Sequence, residues 1–384
     1  MTKRFLCIAG TRPEIIKLAP VVRALQAAPW AATIVAASGQ HRELAETAFA
    51  ALGLHPDLHF SVMTDNQTLS GLTGRLFHAL EPCIRDCAPD LVIAQGDTTT
   101  VMVVAMTCFY LNVPFAHLEA GLRTNNLRNP FPEELNRVVC GHLAALHFAP
   151  TETARQALLT ERVAPDSIVV TGNTVIDALL QTEGVAPPGL DQGKKLILMT
   201  AHRRENFGPP LERVFTAVRE VLANRPDLQL LYPVHPNPNV AAIAHQVFDD
   251  IPAAILCDPL PYDHFVGAMR RAHLIVTDSG GVQEEAPALG KPVLVTREQT
   301  ERPEAVAAGV ARLVGTDGHT IRAALEQLLD DHHAYAAMAR GSSPYGDGRA
   351  AARIIDALEV FFARKSAREM PGFTPSLTLR EAAE

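Results

Sequence analysis

The 384-residue sequence contains no Cys-x-x-Cys pair, and its six cysteines (Cys7, Cys83, Cys87, Cys108, Cys140 and Cys257) form no paired framework. Cysteines scattered through apolar stretches are expected to be reduced core thiols of a cytoplasmic protein. Cys83 and Cys87, four apart, should share one helix face and pack there. No Gly-x-Gly-x-x-Gly follows the first apolar run and no P-loop pattern occurs, so the usual nicotinamide and nucleoside-triphosphate readings lack their fingerprints. No Gly-x-Ser-x-Gly surrounds Ser70 or Ser279, which leaves a serine hydrolase unsupported. Basic residues are in deficit, 34 against 42 acidic, with a net charge of −8 and pI near 6.0. That balance argues against a general nucleic-acid or anionic-membrane surface. The longest apolar stretch, Val101 to Ala116, contains Thr107, Asn112 and Pro114, so it is no membrane span. The first apolar run breaks at Gly10-Thr-Arg-Pro, too early for a signal peptide.

What is present is an alternation of short apolar runs with amphipathic segments. Six strand candidates (Phe5–Ala9, Thr33–Ala37, Leu91–Ala94, Phe115–Leu118, Ala145–Phe148, Ile168–Thr171) precede one Pro- and Gly-rich segment. Six more (Leu196–Thr200, Leu228–Pro233, Ala254–Leu256, Leu274–Thr277, Pro292–Thr296, Ala311–Val314) follow it. Helical stretches such as Ile15–Ala27, Arg42–Ala51, Leu69–Cys87, Leu211–Ala223 and Ile321–Asp330 lie between them. Continuously apolar strands alternating with helices imply parallel sheets covered on both faces. The expected fold is therefore α/β, with two Rossmann-like, doubly wound parallel-sheet domains facing a cleft. The first should span residues 1–182 and the second 195–349, joined by a linker over 183–194. The tail from 369 to 384, mixed in Pro, Thr, Ser and Glu, is expected to fray.

Charged residues close several apolar runs. Asp97 ends Leu91-Val-Ile-Ala-Gln-Gly-Asp, Glu119 ends Val113-Pro-Phe-Ala-His-Leu-Glu, and Glu133 follows Asn129-Pro-Phe-Pro. Ligands of open parallel sheets bind beyond the carboxyl ends of the strands, and acids gathered there suit proton transfer on a bound small molecule. Each acid alone has an ordinary explanation. Asp97 is expected to be the N-cap of the helix that follows, and Glu133 with Glu134 would favour a helix dipole. Glu119 has no such role and would be costly unpaired. Asp278-Ser-Gly-Gly-Val-Gln-Glu-Glu-Ala follows a strand and opens a helix, so Ser279, Gly280 and Gly281 read either as a turn or as a phosphate seat. Glu284 and Glu285, one turn in, favour the seat, since a glutamate there could accept from ribose hydroxyls. Arg12 and Lys17 follow the first strand within reach of a phosphate, although a surface pair is the commoner outcome. His202 and His235 end successive strands of the second domain. Neither stands at metal-ligand spacing from a cysteine or another histidine, so no zinc is expected. His332-His333 reads as surface turn.

These segments carry a family resemblance. Gly10-Thr-Arg-Pro-Glu, Gln40-His-Arg-Glu, Gly96-Asp-Thr-Thr-Thr, His117-Leu-Glu-Ala-Gly-Leu-Arg, Pro132-Glu-Glu-Leu-Asn-Arg, Thr171-Gly-Asn-Thr-Val-Ile-Asp, His202-Arg-Arg-Glu-Asn-Phe-Gly and Asp278-Ser-Gly-Gly-Val-Gln-Glu-Glu-Ala resemble the non-hydrolysing UDP-N-acetylglucosamine 2-epimerases. Glu301-Arg-Pro-Glu-Ala and Pro344-Tyr-Gly-Asp-Gly do so too, and the matches run in order from about residue 5 to 360. The resemblance implies the GT-B arrangement of two Rossmann-like domains, a homodimer, and a C-terminal helix at about 350–366 that returns to the first domain. It implies Asp97, Glu119, Glu133 and His202 as catalytic residues. Arg12, Lys17, Ser279, Gly280 and Gly281 would hold a diphosphate, Glu285 the ribose, and backbone near Phe265 the uracil. Arg137, His235 and Arg302 would line the sugar or phosphates. A second UDP-N-acetylglucosamine would activate the enzyme from a pocket including Gln40, His41 and Arg75. No redox cofactor or metal would be needed, because UDP elimination to 2-acetamidoglucal and re-addition can invert C2. A hydrolysing epimerase, an epimerase of a UDP-acetamido-uronic acid, a GT-B glycosyltransferase and a nucleotide-sugar sensor remain open.

Overall fold

Strands buried on both faces need helices above and below, and the computed structural model has that layering in each of two units. It describes residues 1–39, 48–64, 66–340, 343–363 and 373. Among the described residues, Met1–Gln181 with Tyr345–Ala363 and Phe373 forms one unit, and Thr182–Pro344 forms the other. The first contains β1 (Lys3–Ala9), β2 (Ala31–Ala37), β3 (Leu58–His59), β4 (Leu91–Gln95), β5 (Phe115–Leu118), β6 (Leu146–Ala149) and β7 (Ile168–Val170). They pair in parallel in the order β3-β2-β1-β4-β5-β6-β7. The second contains β8 (Lys195–Thr200), β9 (Leu228–Pro233), β10 (Ala254–Cys257), β11 (Leu274–Thr277), β12 (Val293–Val295) and β13 (Ala311–Leu313), parallel in the order β10-β9-β8-β11-β12-β13. The expectation of six and six is corrected to seven and six. The additional strand, β3, is two residues long and has no periodicity to read. The expected helix Arg42–Ala51 lies largely outside the described residues.

The strand order reverses direction between β1 and β4 in the first sheet and between β8 and β11 in the second, which are the crevices where such sheets bind ligands. β4, β5 and β11 are buried along their whole length. In the helix Leu69–Cys87, Leu72, Leu76, Leu80 and Ile84 recur every fourth residue and face the first sheet's core, where Cys83 and Cys87 also pack. Phe215 of the helix Pro209–Ala223 meets Tyr232 at 5.3 Å and Phe248 at 5.6 Å in the second core. His332 and His333 are exposed as expected, but they begin a short helix, His332–Met338, and not a turn. None of the described helices is long and apolar enough to cross a membrane.

The helix Ala350–Phe361 lies in the first unit beside the helices Arg12–Ala27 and Thr174–Gln181. Its own N-cap residue, Arg349, makes no side-chain cap. Asp177, from a different helix, does that work: its carboxylate accepts from the N–H of Ala350 at 3.1 Å and of Ala351 at 2.8 Å. Burial pushes the Asp177 carboxyl up, and the two N–H donors hold it back.

Candidate active site

In the first unit the chemistry gathers where β1, β4 and β5 end. Glu14 is fully buried at the third position of the helix Arg12–Ala27, and one carboxylate oxygen accepts from the N–H of Gly10 at 2.6 Å and of Thr11 at 2.7 Å. The other oxygen accepts from the Thr98 hydroxyl, so one side chain ties the loop after β1 to the loop after β4. Burial drives the Glu14 carboxyl up, against those donors. Pro13 tolerates the helix's first turn, where its missing N–H costs nothing. Arg12, half-buried, opens that helix, and Lys17 lies buried further along it.

Lys17 donates to Glu119, and two amides join it on the same oxygen: Gln95 at 2.9 Å and Asn173 at 3.1 Å. Glu119 itself has φ of +62°, a left-handed conformation that costs energy in a residue with a side chain. The residue is held there by three neighbours from separate elements. Strain maintained in this way is characteristic of functional positions.

Asp97 is not the expected N-cap. Thr98 is the N-cap residue of Thr99–Leu111 and accepts from the Val101 N–H at 3.4 Å. That leaves the Asp97 carboxylate to Arg137, whose Nε and Nη2 donate to one oxygen at 2.9 and 2.7 Å. Asn136 holds the Asp97 carbonyl at 2.8 Å. The paired acids of the helix Glu133–Leu143 separate by phase. Glu134 is buried, receives the N–H groups of Thr124 and Asn125 at 2.8 Å each, and pairs with Arg137 at 3.1 Å. Glu133 is half-buried and has no hydrogen bond or ion pair among the described residues. Both acids lie in the first turn of that helix as expected, but among the described residues only Glu134 is taken up by partners.

His117, on β5, places Nε2 2.7 Å from the Gly96 carbonyl, and burial lowers its pKa from 6.5 to about 4. The fold therefore holds the neutral ring, whose contribution is complete above pH 6.5 and lost as pH falls toward 4. At pH 5 the expected loss from this ring is about 2 kcal/mol. In His117→Gln, urea unfolding should lose about that much of its difference between pH 7.5 and 5, and an unchanged difference would refute the assignment.

In the second unit the equivalent crevice is tied by Asp278, which is fully buried at the end of β11. One oxygen accepts from the N–H of His202 at 2.9 Å and of Arg203 at 2.8 Å, and the other lies 3.3 Å from His202 Nδ1. The His202 ring stacks on His235 with centroids 5.5 Å apart. Burial lowers the His202 pKa, and Asp278 opposes that while Arg203 and His235 add to it. His235 is exposed, two residues beyond β9.

Ser279 is the N-cap residue of the helix Gly280–Ala288, and its side chain makes no cap bond. A Cβ on Gly280 would stand 3.4 Å from the Arg302 guanidinium carbon and 3.7 Å from Arg203 Nη2, and one on Gly281 would stand 3.7 Å from Glu285. Glycine keeps that helix end open to a ligand approaching the backbone. Tyr262 donates to Glu285 at 2.7 Å and orients it. Glu284, read with Glu285 as a ribose acceptor, instead pairs with Arg302 at 2.6 Å. Phe265 is half-buried in the helix Tyr262–Arg271.

The carboxyl ends of the first sheet thus bring together Lys17, Asp97, Glu119 and Arg137. Those of the second bring together His202, His235, Ser279, Gly280, Gly281, Glu285 and Arg302. Arg75 donates to the Val62 carbonyl at 2.7 Å and to Gln67, while Gln40 and His41 lie outside the described residues. Among the described residues, no three His, Cys, Asp or Glu side chains are grouped to hold a metal. The orienting residues Glu14, Gln95, Asn173, Tyr262 and Asp278 are not singled out by the sequence. Gln95, a polar residue closing an apolar strand, was the one with a readable signal.

The sequence matches the UDP-N-acetylglucosamine 2-epimerase family over residues 23–359. It is 46% identical over 369 residues to the UDP-N-acetylglucosamine 2-epimerase of Escherichia coli K12, covering 93% of this chain and 98% of that one. A crystal structure of a putative UDP-N-acetylglucosamine 2-epimerase from Listeria monocytogenes is similar with a TM-score of 0.91 at 40% identity, covering 97% of this chain and all of that one. The Neisseria meningitidis UDP-GlcNAc 2-epimerase bound to UDP-GlcNAc gives a TM-score of 0.87 at 40% identity, covering 92% of this chain and 99% of that one. With a family match over residues 23–359 and 46% identity along 93% of its length to a curated member, the chain belongs to the UDP-N-acetylglucosamine 2-epimerase family.

Proposed function

We propose that this chain is a non-hydrolysing epimerase that interconverts UDP-N-acetylglucosamine and UDP-N-acetylmannosamine. The observation that carries the reading is the acid-rich crevice at the ends of β4 and β5, where Arg137 holds the Asp97 carboxylate and Lys17, Gln95 and Asn173 hold that of Glu119. Family membership and the UDP-GlcNAc held by the N. meningitidis relative support the choice of substrate.

C2 of the sugar is not adjacent to a carbonyl, so its proton is lost most readily as the C1–oxygen bond breaks. In the proposed reaction a carboxylate takes the C2 proton and UDP departs with the bonding electron pair, leaving 2-acetamidoglucal. UDP then adds back to C1 while an acid delivers a proton to the other face of C2. Asp97, Glu119 and Glu133 are the proposed proton carriers. Arg12 and Lys17 would hold the departing diphosphate, with Ser279, Gly280 and Gly281 supplying N–H groups, His202 would assist catalysis, and Arg137, His235 and Arg302 would line the sugar or phosphates. Glu285 and the backbone near Phe265 would hold the nucleoside.

Turnover in deuterium oxide should place deuterium at C2 of both sugars without net release of UDP. Products lacking deuterium overturn the elimination route, and UDP released at the turnover rate identifies a hydrolysing enzyme.

A homodimer is part of the same proposal. The helix Thr99–Leu111 is apolar on every side, yet Phe109 and Tyr110 are 63% and 68% exposed at its end. A helix without a polar face calls for a further covering surface.

A further inference from the structure

We infer that Arg203 is a further diphosphate ligand, a second guanidinium at the start of the helix Gly280–Ala288; the inference rests on the UDP-sugar reading above. Arg203 Nη2 and the Arg302 guanidinium carbon lie 3.7 and 3.4 Å from a single point, the Cβ position that Gly280 lacks. Two like charges directed at one point beside the positive end of a helix repel each other unless an anion occupies it. Arg302 is already offset by Glu284 at 2.6 Å. Arg203 has no carboxylate paired with it, and its Nε is buried with no hydrogen-bond partner among the described residues. A buried guanidinium N–H without an acceptor is costly, so the fold maintains Arg203 there at some expense.

The backbone explains how it is maintained. Asp278 accepts the N–H of both His202 and Arg203, which fixes where the Arg203 side chain begins relative to the glycines that follow Asp278. Nearby Arg297 is committed to Glu205 and Glu301, each at 2.7 Å. Arg204, the next residue, is exposed, so the sequence supplies its own control. A forked guanidinium suits two phosphate oxygens, and in the proposed reaction those oxygens gain charge as the C1 bond breaks.

Calorimetric titrations with UDP and with uridine test this on the full-length protein. In Arg203→Ala, UDP affinity should fall by about ten- to a hundredfold, while uridine affinity stays within about twofold of wild type. Arg203→Lys should fall in between, since lysine keeps the charge but not the fork, and Arg204→Ala should bind both ligands as wild type does. Wild-type protein that takes up no UDP overturns the functional reading and this inference with it. Wild-type protein that binds UDP, with Arg203→Ala binding it equally well, overturns this inference alone. Equal losses for UDP and uridine in both Arg203 variants overturn the diphosphate assignment.

Discussion

Glu119→Gln should lower kcat by about 10²- to 10⁴-fold while the dissociation constant for UDP changes by less than about threefold. The substitution keeps the size and an acceptor oxygen but removes the ability to take or give a proton. It also removes the anion that Lys17, Gln95 and Asn173 all address. Thermal unfolding should therefore be measured beside turnover, because loss of a buried charge partner destabilises as well. The decisive comparison is with Asp97→Asn. If both variants are crippled and both remain folded, proton transfer runs through this pair. If Glu119→Gln keeps more than about a tenth of wild-type kcat, Glu119 is a scaffold for Lys17 and the chemistry belongs elsewhere in the crevice.

The second large effect concerns the chain's return to the first unit. Asp177→Ala removes the acceptor for two N–H groups at the start of Ala350–Phe361 and leaves them buried without a partner. The expected cost is about 2–4 kcal/mol, at or above the upper range for an N-cap because the site is buried. Asp177→Asn, which keeps an acceptor and sheds a charge that burial disfavours, should cost less than half of that. Urea unfolding measures both, and proteolysis should cut near residue 350 first in the alanine variant. Equal stability of the alanine variant and wild type would mean that packing against Arg12–Ala27 alone retains the helix.

Much of this was legible without coordinates, and the exceptions share a cause. Continuously apolar strands identified both sheets, because burial on two faces leaves a composition as well as a pattern. β3 left neither, being two residues whose place is set by β2. Charged residues ending apolar runs singled out Asp97 and Glu119, which Arg137 and the Lys17, Gln95 and Asn173 trio respectively hold. Whether Asp97 or Thr98 caps the next helix was beyond local reasoning, since both side chains can do it. Arg137, forty residues further on, settles the choice by taking the aspartate. Glu133 and Glu134 are chemically identical neighbours, and only the helix's rotation against the sheet buries one and frees the other. Tyr262 and Asn173 were invisible for a similar reason: each acts on a residue from a remote segment, and nothing in its own surroundings marks it.

The two buried carboxylates at the strand-order reversals fasten their crevices from opposite sides. Glu14 belongs to the segment after β1 and reaches across to Thr98 beyond β4, whereas Asp278 belongs to the segment after β11 and reaches back to the backbone beyond β8. The fastener enters the first crevice from one side and the second from the other. The two halves therefore share an order of strands but not this joint. A chimera built by grafting one half's loop onto the other would lack its fastener, however well the strands aligned.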